Sequence, residues 1–341
     1  MSHFVRFCSS LVEIQSNTAI YKRILPSFPK GIEMAFSYGS AVFQQEGHPS
    51  KDKNMLDFVF VVEDPLVWHQ ENLEMNRSHY SFLKLFGAKK IANIQEKFGA
   101  GVYFNTLIPF ENRLIKYGII STDKVITDLL DWETLYVSGR LHKPVNFIKS
   151  PINSDLKNAI NMNLNSAIHS ALLLLPETFT EVELYETITG LSYSGDIRMS
   201  IGEDQQKIRK IVAPNLEHFR KLYEPILDNE EHIHWFKSAG KFEQYPNIQS
   251  QWHHLNLLPG GVHQILIEYK YQQGRYEDYE EILRAYAHDS YCCDHVRKAI
   301  SDIVKSSSFK QSTKGILTAG IIKSLKYSSA KVKKMINSRR S

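Results

Sequence analysis

Three cysteines among 341 residues, Cys8, Cys292 and Cys293, are too few for a disulfide framework. A chain of this size must be held by hydrophobic burial instead, and such sparse thiols fit a reducing compartment. No Cys-x-x-Cys spacing is present, so packing explains the Cys292-Cys293 pair better than a metal site shared with His288 and His295. No apolar run reaches about 18 residues, which excludes a conventional transmembrane helix. The most apolar stretch, Ala171-Leu172-Leu173-Leu174-Leu175, stops at Pro176 and reads as a buried helix end. Acids are missing from one region only. From Phe309 onward stand Lys310, Lys314, Lys323, Lys326, Lys331, Lys333, Lys334, Arg339 and Arg340, with no Asp or Glu. Removing these nine from the 41 Lys and Arg leaves 32 bases against 37 acids. The body is thus mildly acidic and the tail carries the basicity. A nucleic-acid enzyme spreads positive charge over its working face, so no nucleic-acid partner is expected.

What is present organises into three parts. Residues 1–150 read as an α/β unit. A helix is expected over 11–25 and a short strand over Met34–Tyr38. Residues 44–54 form a polar, breaker-rich loop, and Leu56–Val62 is a near-continuous apolar strand suited to a sheet centre. Gly101–Leu107 and Ile115–Ile120 add two strands joined by a polar turn. Residues 151–308 read as mostly helical. Ile160, Leu164, Ile168, Leu172 and Leu175 line one face of a helix. Thr180 and Glu183 make a capping box for the next helix, which ends near Gly190. The helix–loop–helix pattern around Ser192-Tyr193-Ser194-Gly195-Asp196 suggests a winged-helix-like module, completed by helices over 228–308. Residues 309–341 form the tail. The fold class expected is α+β: a nucleotidyltransferase-like mixed sheet, a helical winged-helix-like domain and a C-terminal amphipathic helix.

The chemistry-bearing feature is Tyr38-Gly39-Ser40 followed by Asp57 at the start of the apolar strand. A Gly-Ser turn lets backbone N–H groups and the Ser40 hydroxyl approach phosphate oxygens. The Asp57 carboxylate would hold Mg²⁺ against the same phosphates. Nucleotidyltransferases use this combination to present a triphosphate to a metal. Lys116 lies in an apolar, strand-like run, where a lysine is unusual, and reads as a charge clamp. Arg140 and Lys143 flank a Gly-containing turn and would bind phosphate.

Longer segments accompany these residues in order: Ala35-Phe36-Ser37-Tyr38-Gly39-Ser40, Asp57-Phe58-Val59-Phe60, Trp68-His69, His79-Tyr80-Ser81, and Phe98-Gly99-Ala100-Gly101-Val102-Tyr103-Phe104-Asn105. Ile115-Lys116-Tyr117-Gly118, Leu135-Tyr136-Val137-Ser138-Gly139-Arg140-Leu141-His142-Lys143, Leu191-Ser192-Tyr193-Ser194-Gly195-Asp196-Ile197-Arg198 and Gln311-Ser312-Thr313-Lys314-Gly315 follow. From about Ile24 to Ile316 the chain resembles the mitochondrial phosphatidate cytidylyltransferases, the translocator assembly and maintenance family.

The resemblance implies conversion of phosphatidic acid and CTP to CDP-diacylglycerol and pyrophosphate with Mg²⁺. It implies a peripheral place on the matrix side of the mitochondrial inner membrane, supplying cardiolipin synthesis. Tyr38, Gly39, Ser40, Arg140, Lys143, Tyr193, Ser194 and Arg198 would then form the nucleotide-binding set. Asp57, Ser40 and Lys116 would carry catalysis. Related nucleotidyltransferases place a second carboxylate two residues after the first, where this chain has Val59. Asp196 is the candidate for the missing metal ligand. His69 and His79 are expected to be structural, because the lipid phosphate is ionised at neutral pH and needs no general base. The N-terminus, with Arg6 and no acid before Glu13, is compatible with a short presequence.

In the tail, Leu317, Ile321, Leu325, Val332 and Ile336 fall on one side of a helical wheel and Lys323, Lys326, Lys333 and Lys334 on the other. Such a helix suits an anionic membrane surface. Two rival functions remain from the residues alone: a nucleotidyltransferase acting on RNA or a small substrate, and a non-enzymatic assembly factor of the inner membrane.

Overall fold

The computed structural model describes residues 18–43, 55–201, 206–245, 247–274 and 277–319. The loop over 44–54, the presequence region and the tail beyond Ala319 therefore lie outside the described residues.

The first unit contains α1 (Thr18–Ile24), β1 (Ile32–Tyr38), β2 (Leu56–Val62), α2 (Pro65–Met75), α3 (Gly87–Lys97), β3 (Tyr103–Phe110) and β4 (Arg113–Ser121). It continues through α4 (Thr122–Asp131), a short α5 (Ser138–Leu141), β5 (Asn146–Lys149) and the long α6 (Ser154–Leu174). The sheet order is β3-β4-β2-β1-β5; β2 and β4 run parallel and the other neighbours antiparallel. The strand expected over Leu56–Val62 has those bounds and sits at the sheet centre. Its continuous apolar character follows from burial on both faces. Phe58, Phe60 and Val62 pack with Ile20, Trp68 and Tyr117 beneath the first helices. Val59 and Val61 pack on the opposite face with Val125, Leu129, Leu141 and Ile160.

The second unit contains β6 (Thr178–Thr180), α7 (Glu181–Leu191), α8 (Ile197–Ile201), α9 (Lys207–Val212), α10 (Leu216–Leu227), β7 (Ile233–Phe236) and β8 (Lys241–Gln244). Four helices follow: α11 (Ile248–Asn256), α12 (Gly260–Gln272), α13 (Tyr279–Ala287) and α14 (Cys292–Ala319). The Thr180–Glu183 capping box forms as expected at the start of α7. A three-stranded sheet, β6-β8-β7, accompanies α6, α7 and α10; setting aside the short α8 and α9 between α7 and α10, the order is the helix–strand–helix–helix–hairpin of a winged helix. The β7–β8 hairpin lies where only helices were expected. Its strands are four residues each, too short to show a period-two pattern.

Helix α6 serves both units. Leu156, Ala159 and Ile160 fill the sheet core, while Leu164, Ile168 and Leu172 fill the helical core. Helix α14 closes the arrangement and crosses the boundary drawn at residue 309. The Gln311 side chain accepts from the Ala100 N–H and donates to the Val102 carbonyl. Lys314 is fully buried and donates to the carbonyls of Gln95 (2.9 Å) and Phe98 (2.6 Å). Lys314, counted above among the basic residues after Phe309, is thus packed inside the fold. The Gly99 turn has φ +70°, and a Cβ there would stand 2.6 Å from Gln311 Oε1, so a glycine is needed for α14 to approach. Cys292 is a core residue whose thiol is pushed up to about 12, mainly by burial.

Candidate active site

Strand register assembles the centre of the site. Tyr38 of β1 pairs with Asp57 of β2, and Asp57 pairs with Lys116 of β4. Paired residues share a face, so the three side chains stand in a row across the middle strands. They belong to the face covered by α4, α5 and α6, because Phe36, Val59 and Ile120, each an even number of residues away, pack there.

Gly39 follows Tyr38 with φ +85°, and its carbonyl accepts from the N–H groups of Val42 and Phe43, both at 3.0 Å. The chain thus coils tightly just after the strand, with Ser40 inside the turn. A Cβ on Gly39 would lie 3.7 Å from Asp57 Oδ2, which places the turn directly beside the carboxylate. Lys116 Nζ stands 3.7 Å from Asp57 Oδ1. It also lies 4.3 Å above the centre of the Phe104 ring. That ring fits because Gly118, paired with Phe104 across β3 and β4, has no side chain. A Cβ there would be 2.5 Å from Phe104 Cε1. Glycine on one strand therefore lets an aromatic shelf support the lysine of the next turn of the pleat.

Around this row lies a cationic shell. The Arg140 guanidinium stacks 3.8 Å from the Tyr136 ring centre and 5.2 Å from that of Tyr38, and it donates to the Tyr136 carbonyl. Burial opposes ionisation of Tyr136, but the charges of Arg140, Lys116 and Arg198 outweigh it and lower the phenol below its ordinary range. Lys143 donates to the Gly139 carbonyl and to Ser192 Oγ (2.9 Å). Its ammonium is 5.2 Å from the Tyr193 ring centre, and Lys207 stands 5.1 Å from the same ring. Burial, then the neighbouring Arg140 and Lys207 charges, hold Lys143 well below the usual lysine range. Gly139 makes this meeting possible, since a Cβ would sit 2.3 Å from Ser192 Cβ. Tyr193 and Ser194 turn back onto the Gly190 carbonyl through their N–H groups, both at 2.9 Å.

Several buried polar atoms here make no hydrogen bond: Asp57 Oδ1, the Tyr38 hydroxyl and Arg140 Nε. Buried polar atoms are normally satisfied, so a cluster of such atoms among cations has the chemistry to receive an anionic ligand. The donor chemistry of Asp57 fits Mg²⁺, which takes one or two carboxylates and completes its shell from substrate phosphates and water. Asp196 is engaged differently from the expectation. It accepts the Arg198 N–H at 2.9 Å and both carboxylate oxygens pair with the Arg198 guanidinium. To serve as a ligand it would have to exchange that partner. Val59, where a second carboxylate is absent, is wholly in the core.

His69 is fully buried, with Nδ1 facing the Tyr80 hydroxyl at 2.8 Å and Nε2 facing Gln95 Oε1 at 2.9 Å. Burial lowers its pKa to about 4. His79 Nδ1 faces the Tyr117 hydroxyl at 2.9 Å. Both lie on the opposite face of the sheet from Asp57, consistent with structural roles.

Sequence reasoning missed the residue that shapes the cationic shell. Asp128 of α4, 3% exposed, accepts from the Thr134 N–H and hydroxyl through Oδ1, and from the Val137 N–H, Ser138 N–H and Ser138 hydroxyl through Oδ2. These bonds hold a loop in which Trp132 (φ +54°) and Leu135 (φ +50°) occupy the left-handed region, unusual for bulky residues. Asn163 of α6 adds a brace: its Oδ1 accepts from Trp132 Nε1 at 2.8 Å, and its Nδ2 donates to the Ser138 carbonyl at 3.1 Å. A helical Asp or Asn carries no sequence signal of such a role.

A sequence profile of the family described as "Phosphatidate cytidylyltransferase, mitochondrial" matches residues 21–334. Several proteins of that name resemble this chain over almost their full lengths. One from Danio rerio is 49% identical over 328 residues, covering 96% of this chain and 97% of its own. One from Xenopus laevis is 47% identical over 333 residues, covering 97% and 98%. One from Caenorhabditis elegans is 40% identical over 321 residues, covering 94% and 99%. With the profile spanning both the mixed sheet and the winged helix, the chain belongs to the mitochondrial phosphatidate cytidylyltransferase family.

Proposed function

We propose that this protein transfers the CMP group of CTP to phosphatidic acid, giving CDP-diacylglycerol and pyrophosphate, in mitochondria. Family membership supports the reaction. The observation that carries the site assignment is the unsatisfied Asp57 oxygen, set between the Gly39 turn and Lys116, with Arg140 over the ring of the neighbouring Tyr38.

The Gly39-Ser40 turn would receive the triphosphate through backbone N–H groups and the Ser40 hydroxyl. Asp57 would hold Mg²⁺, which supplies charge neutralisation on the phosphate oxygens when bound. Lys116, propped on Phe104, and Arg140, stacked on Tyr136, neutralise negative charge without having to reorganise. Burial and then the neighbouring Arg140 and Lys207 charges disfavour the Lys143 ammonium, and an incoming anion would offset both. A phosphate oxygen of phosphatidic acid forms the new bond to the α-phosphorus. The bond from that phosphorus to the bridging oxygen breaks, and its electrons leave with pyrophosphate. No proton must be abstracted from the nucleophile, so positioning and charge carry the rate.

Among the described residues no helix is long and apolar enough to cross a membrane. A peripheral association at the matrix side of the inner membrane, through the basic residues after Ala319, is part of the proposal. Purified protein incubated with labelled CTP, Mg²⁺ and phosphatidic acid vesicles is expected to move label into the lipid phase. Asp57→Asn is expected to lower turnover at least about 100-fold while keeping the fold. Undiminished transfer by that variant would overturn the assignment of Asp57.

A further inference from the structure

A second group of metal-competent side chains lies in the helical unit, apart from the row at Asp57. His169 comes from the C-terminal part of α6, Glu230 and His232 from the connection between α10 and β7, and His253 and His254 from α11. Three segments distant in sequence therefore deliver four imidazoles and one carboxylate to two adjoining triads that share His253. His169 and His254 are almost fully buried, at 5% and 3% exposure.

The donor atoms converge. His169 Nδ1 and His254 Nδ1 face each other at 3.0 Å, and His169 Nδ1 is 3.8 Å from Glu230 Oε2. One nitrogen from each of His169, His253 and His254 lies within 4.8 Å of the others, and the same holds for the donors of Glu230, His232 and His253. A tetrahedral zinc ion with nitrogen ligands at roughly 2.0 Å separates those ligands by about 3.3 Å. The 3.0 Å separation alone also suits one hydrogen bond between neutral rings. What distinguishes an ion site from such a pair is a third imidazole, His253, within reach of both nitrogens, with the Glu230 carboxylate beside His169 and His253.

We propose that His169, His253, His254 and Glu230 bind a zinc ion, a structural site joining α6, α11 and the α10–β7 connection. Three neutral imidazoles and a carboxylate are the ligand chemistry of zinc rather than of magnesium, which prefers oxygen. Glu230 Oε1 accepts from the His232 N–H at 3.1 Å and faces His232 Nδ1 at 3.0 Å, leaving Oε2 oriented toward His169. His232 thus acts as the outer group that fixes a ligating carboxylate. Four protein ligands leave no open position for substrate, which marks a structural rather than a catalytic metal. Because α6 runs into the sheet core at Leu156 and Ile160, fixing its far end steadies the helix that also carries Asn163 beneath the cationic shell.

The test uses the full-length protein, stripped with chelator and titrated with Zn²⁺ alone against a chromophoric competitor, with Co²⁺ as spectroscopic probe. One zinc ion per chain, a visible Co²⁺ spectrum of four-coordinate intensity, and a rise in thermal midpoint with Zn²⁺ are expected. His253→Gln, at a half-buried ligand, should keep the fold by circular dichroism and lose the thermal response. Glu230→Gln should weaken affinity about 10- to 100-fold. Asp57→Asn should leave zinc binding unchanged. The proposal is overturned if the stripped protein takes up no zinc, if folded His253→Gln binds it as well as the parent, or if Asp57→Asn abolishes the binding.

Discussion

Replacing Asp128 with asparagine removes one negative charge and one acceptor oxygen while leaving the shape of the side chain intact. Its carboxylate now serves five donors, three of them backbone N–H groups. The amide oxygen can take only one of the two oxygen positions. Its better place is that of Oδ2, where it keeps the N–H groups of Val137 and Ser138, both at 2.9 Å. The new NH₂ then meets the Thr134 N–H, while the Thr134 hydroxyl can rotate and accept. One backbone donor is left unpaired, at a cost of about 1–3 kcal/mol. The bonds that remain lose charge assistance, which about halves each of them. The total expected from urea unfolding is about 2–4 kcal/mol of lost stability. Asp128→Ala strips all five bonds and should cost at least as much. The loop so loosened carries Tyr136 and Arg140, so kcat/KM for CTP should also fall, by about tenfold or more in protein that is still folded. An Asp128→Asn variant within about 0.5 kcal/mol of the parent would refute the reasoning, because ordinary surface substitutions fall in that range.

Other outcomes follow from the same geometry. Gly118→Ala places a methyl 2.5 Å from the Phe104 ring and should cost about 1–3 kcal/mol in thermal or chemical unfolding. It should also lower kcat as the shelf under Lys116 tilts; an unchanged kcat would show that Phe104 does not support the lysine. Gly39→Ala forces a side chain into a positive-φ turn at a strain of about 1–2 kcal/mol, and should raise KM for CTP more than KM for the lipid. Lys314 titrates at about 7 in the fold, lowered by burial and only partly restored by Glu96, against about 10.4 in an unfolded chain. Between those values the unfolded chain holds a proton that the folded chain has released, so this residue makes stability rise with pH and its contribution is lost as pH falls toward 7. Urea midpoints at pH 7, 8 and 9 should therefore climb more steeply in the parent than in Lys314→Met, with parallel slopes counting against the buried lysine's shift.

Much of the centre of the site was legible from residue types. A Gly-Ser turn, an aspartate entering an apolar strand and a lysine inside another apolar run are each odd for a bland core, and each has a phosphate-handling reason. The apolar strand was legible because burial on both faces leaves an unbroken hydrophobic run, and the start of α7 because a capping box is a local device. The hairpin of the winged helix was not, since four-residue strands leave no periodicity to read. Asp128 and Asn163 look like ordinary polar residues of helices, and their importance lies in which donors other segments bring to them. Lys314 shows the reverse case: composition places it in a basic tail, whereas α14 carries it beneath the Gly99 turn to cap two carbonyls.

Local chemistry, then, belonged to the sequence by itself: which residues turn, which run as strand, which side chains can meet phosphate or metal. Only tertiary structure set Tyr38, Asp57 and Lys116 in one row, because strand order and register depend on contacts between segments far apart in the chain. The same holds for the histidines of α6 and α11 and the carboxylate between α10 and β7. Periodicity is written by short-range geometry, but a site made by convergence exists only once burial of both cores has fixed where each element lies.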